Sequence, residues 1–156
     1  MVDSVKALVD LYFASPGEEL CIGGVTASAL ATEYGTPVFV YDRGIIDQKW
    51  QLLREALPKE FSIFYSVKAN PNRTILDHFL GKGAGLEIAS GGEFCQAQAA
   101  GCPAEKVLFA GPGKTERELD LVLTKGIGEI HLESQLEAER VIGISRRLGV
   151  RARVAL

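Results

Sequence analysis

The feature of this chain that most constrains its fold is a regular alternation of short apolar segments and helix-like segments through residues 63–156. Strand candidates begin at spacings of 23, 21, 22 and 22 residues, near Ile63, Leu86, Val107, Glu129 and Arg151. Three of the intervening helices begin with a capping box, in which a hydroxyl and a carboxylate satisfy free backbone N–H groups: Ser90-x-x-Glu93, Thr115-x-x-Glu118 and Ser134-x-x-Glu137. Strand–helix units at this pitch predict a parallel sheet with right-handed crossovers.

The predicted fold class is therefore α/β, and two arrangements of the parallel sheet fit the pattern. One is the N-terminal half of a (β/α)8 TIM-like barrel, and the other is an open doubly wound sheet. No helix follows the last strand candidate, Arg151 to Leu156, although a parallel strand needs cover on both faces. We therefore expect a truncated fold, which by itself would be poorly soluble or would associate through its open strand edges.

Charge and cysteine content exclude several classes of function. The net charge of -3 offers no basis for binding nucleic acid. The three cysteines are odd in number and form no C-x-x-C, which argues against a disulfide framework or a zinc site and suits a reducing cytoplasm. No apolar run approaches the roughly 18 residues of a membrane helix. We expect a cytoplasmic protein with no metal, nucleic-acid or membrane partner.

Lys68 is the first candidate for chemistry. Side chains alternate along a strand, so Phe64, Ser66 and Lys68 are predicted to share one face, with Lys68 at the carboxyl end, where α/β proteins bind ligands. Desolvation there would lower the pKa of the amine and make it a nucleophile able to form a Schiff base. The alternative is a lysine at a strand end that reaches into solvent, and position alone favours that alternative.

Four ordered motifs carry a resemblance to a known family. Tyr65–Asn70 resembles the Y-x-V-K-A-N motif of the diaminopimelate and ornithine decarboxylases, pyridoxal-phosphate-dependent enzymes with an alanine-racemase-like barrel. Gly83–Glu93 looks like that family's G-x-G-x-D-x-x-S-x-G-E segment, and Phe109–Thr115 resembles the F-x-G-P-G-K loop seen in some branches of the family. Thr36–Asp42 is similar to its T-P-x-Y-V-Y-D opening, so the resemblance runs from there to the end of the chain.

The resemblance implies three cofactor-binding residues. Lys68 would be the catalytic lysine that holds pyridoxal 5'-phosphate as a Schiff base, with Glu87 and Glu93 nearby. The family usually has aspartate where this chain has Glu87, which is one methylene longer, and the alternative for Glu87 is a surface carboxylate on an edge strand. Glu93 is also explained as the third residue of the capping box with Ser90, and the two interpretations are compatible.

The resemblance also implies a domain organisation. It assigns residues 36–42 to a strand of a separate β-domain and residues 43–156 to the first half of a pyridoxal-phosphate-binding (β/α)8 barrel. Residues 1–35 lie outside the resemblance and are predicted, from apolar residues at helical spacing, to be a helical segment. The family's phosphate cradle, the carboxylate facing the pyridine nitrogen and the substrate-reading residues come after position 156, and a second subunit completes its site. We therefore expect the full-length protein to be a homodimer with a shared active site, and residues 1–156 alone to be inactive.

The function implied is that of a lyase in amino-acid metabolism. It would decarboxylate a basic or diamino amino acid of the diaminopimelate, ornithine or lysine type, or a carrier-bound amino acid. An amino-acid racemase of the same fold is an alternative, although the long Gly83–Glu93 segment favours a decarboxylase. A non-catalytic, partner-binding homologue is another, and the presence of Lys68 argues against it.

Two further features are predicted to be structural. The Gly111–Lys114 loop fails the spacing of a phosphate-binding P-loop, and Pro112 removes a backbone donor, so this loop should shape the site and not bind phosphate. His78 and His131 have no metal-spaced neighbour, and both are expected to play structural roles.

Overall fold

The computed structural model describes residues 4–13 and 19–156. The chain divides into two compact units between Phe61 and Ser62. Among its described residues, the first unit contains three helices and a hairpin: α1 (Ser4–Tyr12), β1 (Cys21–Ile22), β2 (Val25–Thr26), α2 (Ala27–Tyr34) and α3 (Arg43–Ala56). In the described part of the chain, no helix has both the length and the apolar character needed to cross a membrane.

The hairpin is a feature that the helical prediction for residues 1–35 did not include, although α1 and α2 lie in that range. β1 and β2 pair antiparallel, and the turn between them is Gly23-Gly24, with φ angles of +59° and +82°. A two-residue turn of this kind needs two positive φ angles, which glycine adopts without steric cost. Paired glycines between short apolar runs were therefore a hairpin signal that the helical interpretation overlooked.

Residues 36–42 form neither a strand nor a helix in this structure. A β-strand is defined by its hydrogen bonds to a neighbouring strand. No strand among the described residues pairs with Val38–Tyr41. The assignment of this segment to a separate β-domain therefore stays a prediction, as does the boundary at residue 43.

The second unit alternates strands and helices along its whole length. Its elements are β3 (Phe64–Ser66), α4 (Arg73–Gly81), β4 (Gly85–Ile88), α5 (Gly91–Ala99), β5 (Val107–Phe109), α6 (Glu116–Thr124), β6 (Glu129–His131), α7 (Gln135–Leu148) and β7 (Val154–Ala155). Short 3₁₀ turns follow β3 and precede β5, at Val67–Ala69 and Ala104–Lys106. All four strand pairs are parallel, as the 21–23-residue pitch predicted.

The strand order decides between the two predicted arrangements. The five strands lie side by side in the order of the chain, β3-β4-β5-β6-β7, so every crossover steps one strand in the same direction. A doubly wound sheet reverses direction at a switch point, and these five strands contain no reversal. The open doubly wound alternative is therefore wrong, and the sheet is the N-terminal half of a (β/α)8 barrel.

The two faces of the sheet differ in chemistry. One face packs against the helices, and its side chains are fully buried: Leu86, Ile88, Val107, Phe109 and Ile130. Because side chains alternate along a strand, the intervening residues lie on the opposite face, which in a closed barrel is the interior. We call this the interior face. It carries Ser66, Glu87, Leu108, Glu129 and His131, all partly exposed.

Candidate active site at the carboxyl ends of the strands

The Tyr65–Asn70 motif folds as an anchored strand end. The Tyr65 ring stacks on Phe79 of α4 with ring centroids 4.2 Å apart, and its hydroxyl donates to the Asn70 carbonyl at 3.2 Å. Val67 is fully buried in the core on the helix side. Aromatic packing and burial together hold the segment from the helix side. The residue between these anchors, Lys68, is therefore placed by its neighbours.

Lys68 lies just past β3, in the 3₁₀ turn, and its side chain is exposed. The regular alternation expected from Phe64 to Lys68 ends at Ser66, because the chain turns there. Val67 occupies the helix-side core, so the adjacent Lys68 is left outside it. The desolvation expected for this amine is therefore absent among the described residues, because they do not bury Lys68.

Glu87 lies on the interior face, between Ser66 of β3 and Leu108 of β5 in the register of the sheet. It is half-buried, and among the described residues its carboxylate has no hydrogen-bond or ion-pair partner. The structure therefore contains no Lys68–Glu87 ion pair. The neighbouring Ser66 hydroxyl is buried and also lacks a partner within the described chain.

The close spacing of β3 and β4 beneath Glu87 depends on Gly85. A Cβ atom at Gly85 would lie 2.3 Å from the Phe64 ring and 2.7 Å from the Lys106 carbonyl oxygen. Both contacts are far shorter than van der Waals distance, so only glycine fits. This explains the second glycine of the Gly83–Glu93 motif as a packing requirement.

Glu93 fixes the loop that follows β4. Its backbone N–H donates to the Ser90 hydroxyl at 3.2 Å, as the capping box predicts. Its carboxylate, however, accepts from the Ala89 N–H at 2.7 Å, one residue earlier than in a capping box. Glu93 makes no ion pair with Lys68 in the described structure, so the geometry supports its structural role.

Glu118 joins two of the loops at this edge of the sheet. It completes the full capping box with Thr115, and its other carboxylate oxygen accepts from the Gly91 N–H at 2.8 Å. Burial alone raises the pKa of Glu118, but the hydrogen bonds from Gly91 and Thr115 outweigh that effect and hold the pKa below its usual range. The ionised carboxylate thus ties the start of α6 to the start of α5.

Lys114 belongs to the loop that the sequence predicts to be structural, but the sequence did not reveal its burial or its partners. Its side chain is fully buried, donates to the carbonyl oxygens of Gly111 and His131, both at 2.6 Å, and pairs with Glu137 at 3.1 Å. Glu137 also accepts from the Glu133 N–H at 2.8 Å, and Glu133 accepts from the Gly111 N–H at 3.2 Å. These five residues, the Lys114 network, join the loop after β5 to the loop after β6.

A second unpredicted pair lies on the interior face. The His131 Nε2 atom is 3.2 Å from a carboxylate oxygen of Glu129, and the two side chains are 38% and 29% exposed. Side chains two residues apart on a strand lie on the same face, so the spacing Glu129-x-His131 in the sequence could have predicted this pair. It went unused because neither residue belongs to a recognised motif.

The arrangement brings together an exposed primary amine and several carboxylates at the carboxyl edge of a half-barrel. A primary amine in such a position can attack a carbonyl carbon and form a Schiff base. Lys68 follows β3 and Glu87 lies on the adjacent β4, but the two side chains are not paired. The Glu93 carboxylate binds the loop between β4 and α5.

Comparisons with known proteins agree with this geometry. Residues 43–156 match the family model described as "Pyridoxal-dependent decarboxylase, pyridoxal binding domain". A diaminopimelate decarboxylase from Aquifex aeolicus is 39% identical over 138 residues, covering 88% of this chain and 33% of the relative. One from Zymomonas mobilis is 34% identical over 148 residues, covering 92% of this chain and 35% of the relative. The chain thus spans about a third of the length of these curated relatives.

Two crystal structures of diaminopimelate decarboxylases have a similar fold. The crystal structure of diaminopimelate decarboxylase from M. jannaschii superposes with a TM-score of 0.86 at 28% identity, covering 95% of this chain and 36% of that one. The one from Helicobacter pylori, crystallised with L-lysine, has a TM-score of 0.74 at 30% identity, covering 81% of this chain and 32% of that one.

Proposed function

Because the chain belongs to the pyridoxal-dependent decarboxylases, with residues 43–156 matching their pyridoxal-binding domain, we propose that it serves as part of a lyase that removes the α-carboxylate from a diamino acid. The observation that carries the proposal is Lys68, an exposed amine at the carboxyl end of β3 within the Tyr65–Asn70 motif. The racemase alternative finds less support, since the relatives described above are named decarboxylases.

The residues present suit pyridoxal phosphate. Lys68 is accessible, and the residues that directly follow the neighbouring strands β4 and β5, Ala89 and Ala110, are small. The Ser66 hydroxyl on the interior face is buried without a partner among the described residues, and a bound polar group could satisfy it. The cofactor, when bound, supplies the electron sink that stabilises the carbanion left by decarboxylation.

The roles proposed for the chain's own residues follow from their chemistry. The Lys68 Nζ atom would hold the cofactor covalently, and the same amine would carry a proton at that strand end. Glu87, one strand away on the interior face, balances the positive charge of a protonated nitrogen in the site. Glu93 and Glu118 hold the rim loops through the Ala89 and Gly91 N–H groups.

Diaminopimelate is the substrate we propose first. The relatives named above are diaminopimelate decarboxylases, and the Helicobacter pylori structure holds L-lysine, which is diaminopimelate less one carboxylate. The family resemblance further supports a homodimer with a shared active site. Carbon dioxide release by the holoenzyme from diaminopimelate, ornithine, lysine and arginine tests the substrate directly.

Borohydride reduction of the holoenzyme should attach the cofactor irreversibly to Lys68. Reduction converts a Schiff base to a stable secondary amine, so peptide mapping by mass spectrometry identifies the lysine that carried the cofactor. Lys82, on the loop before β4, is the internal comparison, because it lies in the same unit. A label on any lysine other than Lys68 would overturn the assignment.

Replacing Glu87 with glutamine should weaken cofactor binding or turnover more than it weakens folding. Glutamine keeps the size of the side chain and removes the charge, and Glu87 has no partner among the described residues whose loss would destabilise the fold. We expect a change in the free energy of unfolding within about 0.5 kcal/mol. Cofactor titration and thermal unfolding measure the two effects, and equal losses in both would contradict the proposed role.

A further inference from the structure

The interior face carries a row of side chains that differs from an ordinary barrel core. Glu87, Leu108 and Glu129 stand side by side in register on β4, β5 and β6. Barrel interiors are usually filled by branched apolar side chains, because charged groups there lose hydration. Two carboxylates in one row therefore need hydrogen-bonding or charged partners. Glu129 has such a partner in His131.

His131 lies one step nearer the carboxyl end than this row. Phe109 is in register with Ile130, so His131 is level with Ala110, and Ala110 follows β5 beside Ala89. At this level of the sheet, two alanines, Ala89 and Ala110, lie between the end of β3 and His131. Three strand spacings of about 4.8 Å separate β3 from β6, roughly 14 Å along the sheet. This leaves room for a planar ring between Lys68 and the imidazole.

Both the main chain and the side chain of His131 are held in place. Lys114, itself buried, donates to the His131 carbonyl oxygen at 2.6 Å. Glu129 engages Nε2 at 3.2 Å, while Nδ1 has no hydrogen-bond partner among the described residues. The imidazole is thus held through its backbone and through one ring nitrogen, and the other nitrogen is open on the interior face. Such a ring is preorganised to contact a ligand.

We propose that His131, oriented by Glu129, is a contact residue for pyridoxal phosphate, through Nδ1, on the side of the site remote from Lys68. Glu129 acts as a positioning residue, since it sets the orientation of the ring. This inference rests on the proposed function, because it takes the cofactor to be held at Lys68.

The first test is protection of the imidazole from chemical modification. Diethylpyrocarbonate modifies accessible imidazoles, and pyridoxal phosphate should slow the modification of His131 several-fold between the apoenzyme and the holoenzyme. His78 on α4 provides the internal comparison and should react at the same rate in both. Inorganic phosphate alone should give no protection. Equal reaction of His131 in apoenzyme and holoenzyme would overturn the proposal, even if no variant folds.

The second test measures cofactor affinity by absorption titration of the apoenzyme. His131→Leu removes the ring nitrogens and should raise the dissociation constant for pyridoxal phosphate about 3- to 10-fold, the range for one lost hydrogen bond. Glu129→Gln should have a smaller effect, because glutamine can still bond the ring, and the control His78→Gln should have none. An unchanged dissociation constant for folded His131→Leu would contradict the inference.

The outcomes separate this inference from the proposed function. If borohydride labels Lys68 in the wild-type holoenzyme while neither protection nor the affinity change at His131 is seen, only the inference about His131 fails. If Lys68 is never labelled, the proposed function itself fails.

Discussion

Replacing Lys68 with alanine is expected to abolish decarboxylation by the holoenzyme, lowering kcat on the order of 10³-fold or more. The variant loses both the covalent attachment of the cofactor and the amine able to carry a proton at the strand end. The visible absorption band that reports the Schiff base should disappear with the activity. Carbon dioxide release and an absorption spectrum of the reconstituted protein measure the two losses together.

The fold should survive this change. Lys68 is exposed, and its segment is anchored by the partly buried Tyr65 and the fully buried Val67, so the free energy of unfolding should change by no more than about 0.5 kcal/mol. Lys125→Ala, at the exposed end of α6, is the matched control and should keep full activity. A folded Lys68→Ala protein that retains the absorption band and a kcat within tenfold of wild type would contradict the assignment.

Replacing Lys114 with methionine should lower the free energy of unfolding by about 3–5 kcal/mol, the usual result of breaking a buried ion pair from one side. Methionine has a similar length but no charge. The change leaves the Glu137 carboxylate buried without its cation, and it leaves the Gly111 and His131 carbonyl oxygens without a donor. Urea unfolding of the purified protein, followed by circular dichroism, measures the effect.

A double variant tests the cause of this loss. Lys114→Met combined with Glu137→Gln removes both charges, so it should be more stable than Lys114→Met alone, although it does not restore the carbonyl contacts. Lys125→Met, at an exposed position, is the control and should change stability little. A loss below about 1 kcal/mol for Lys114→Met would show that the pair contributes less than its burial indicates.

The sequence determined the local features of this protein. The strand–helix pitch, the serine and threonine N-caps and the Tyr65–Asn70 motif all depend on residues close together in the chain, where hydrogen bonding and side-chain periodicity act directly. The same alternation accounts for the position of Glu87 on the interior face, opposite its buried neighbours Leu86 and Ile88. The family followed from ordered motifs. Where local reasoning failed, at the Gly23-Gly24 hairpin, the signal was present in the sequence but was not used.

The tertiary structure decided what depends on contacts between distant segments. The strand pitch allowed a barrel or a doubly wound sheet, and only the pairing of strands in chain order excluded the second. Lys114 and Glu137 are 23 residues apart, so their burial as a pair arises only when two loops meet at the rim. The assignment of the Glu93 carboxylate to Ala89 depended on loop geometry, and the open side of His131 depended on which neighbours β5 and β6 bring beside it. No periodicity along a single chain encodes such neighbours, because packing between elements sets them.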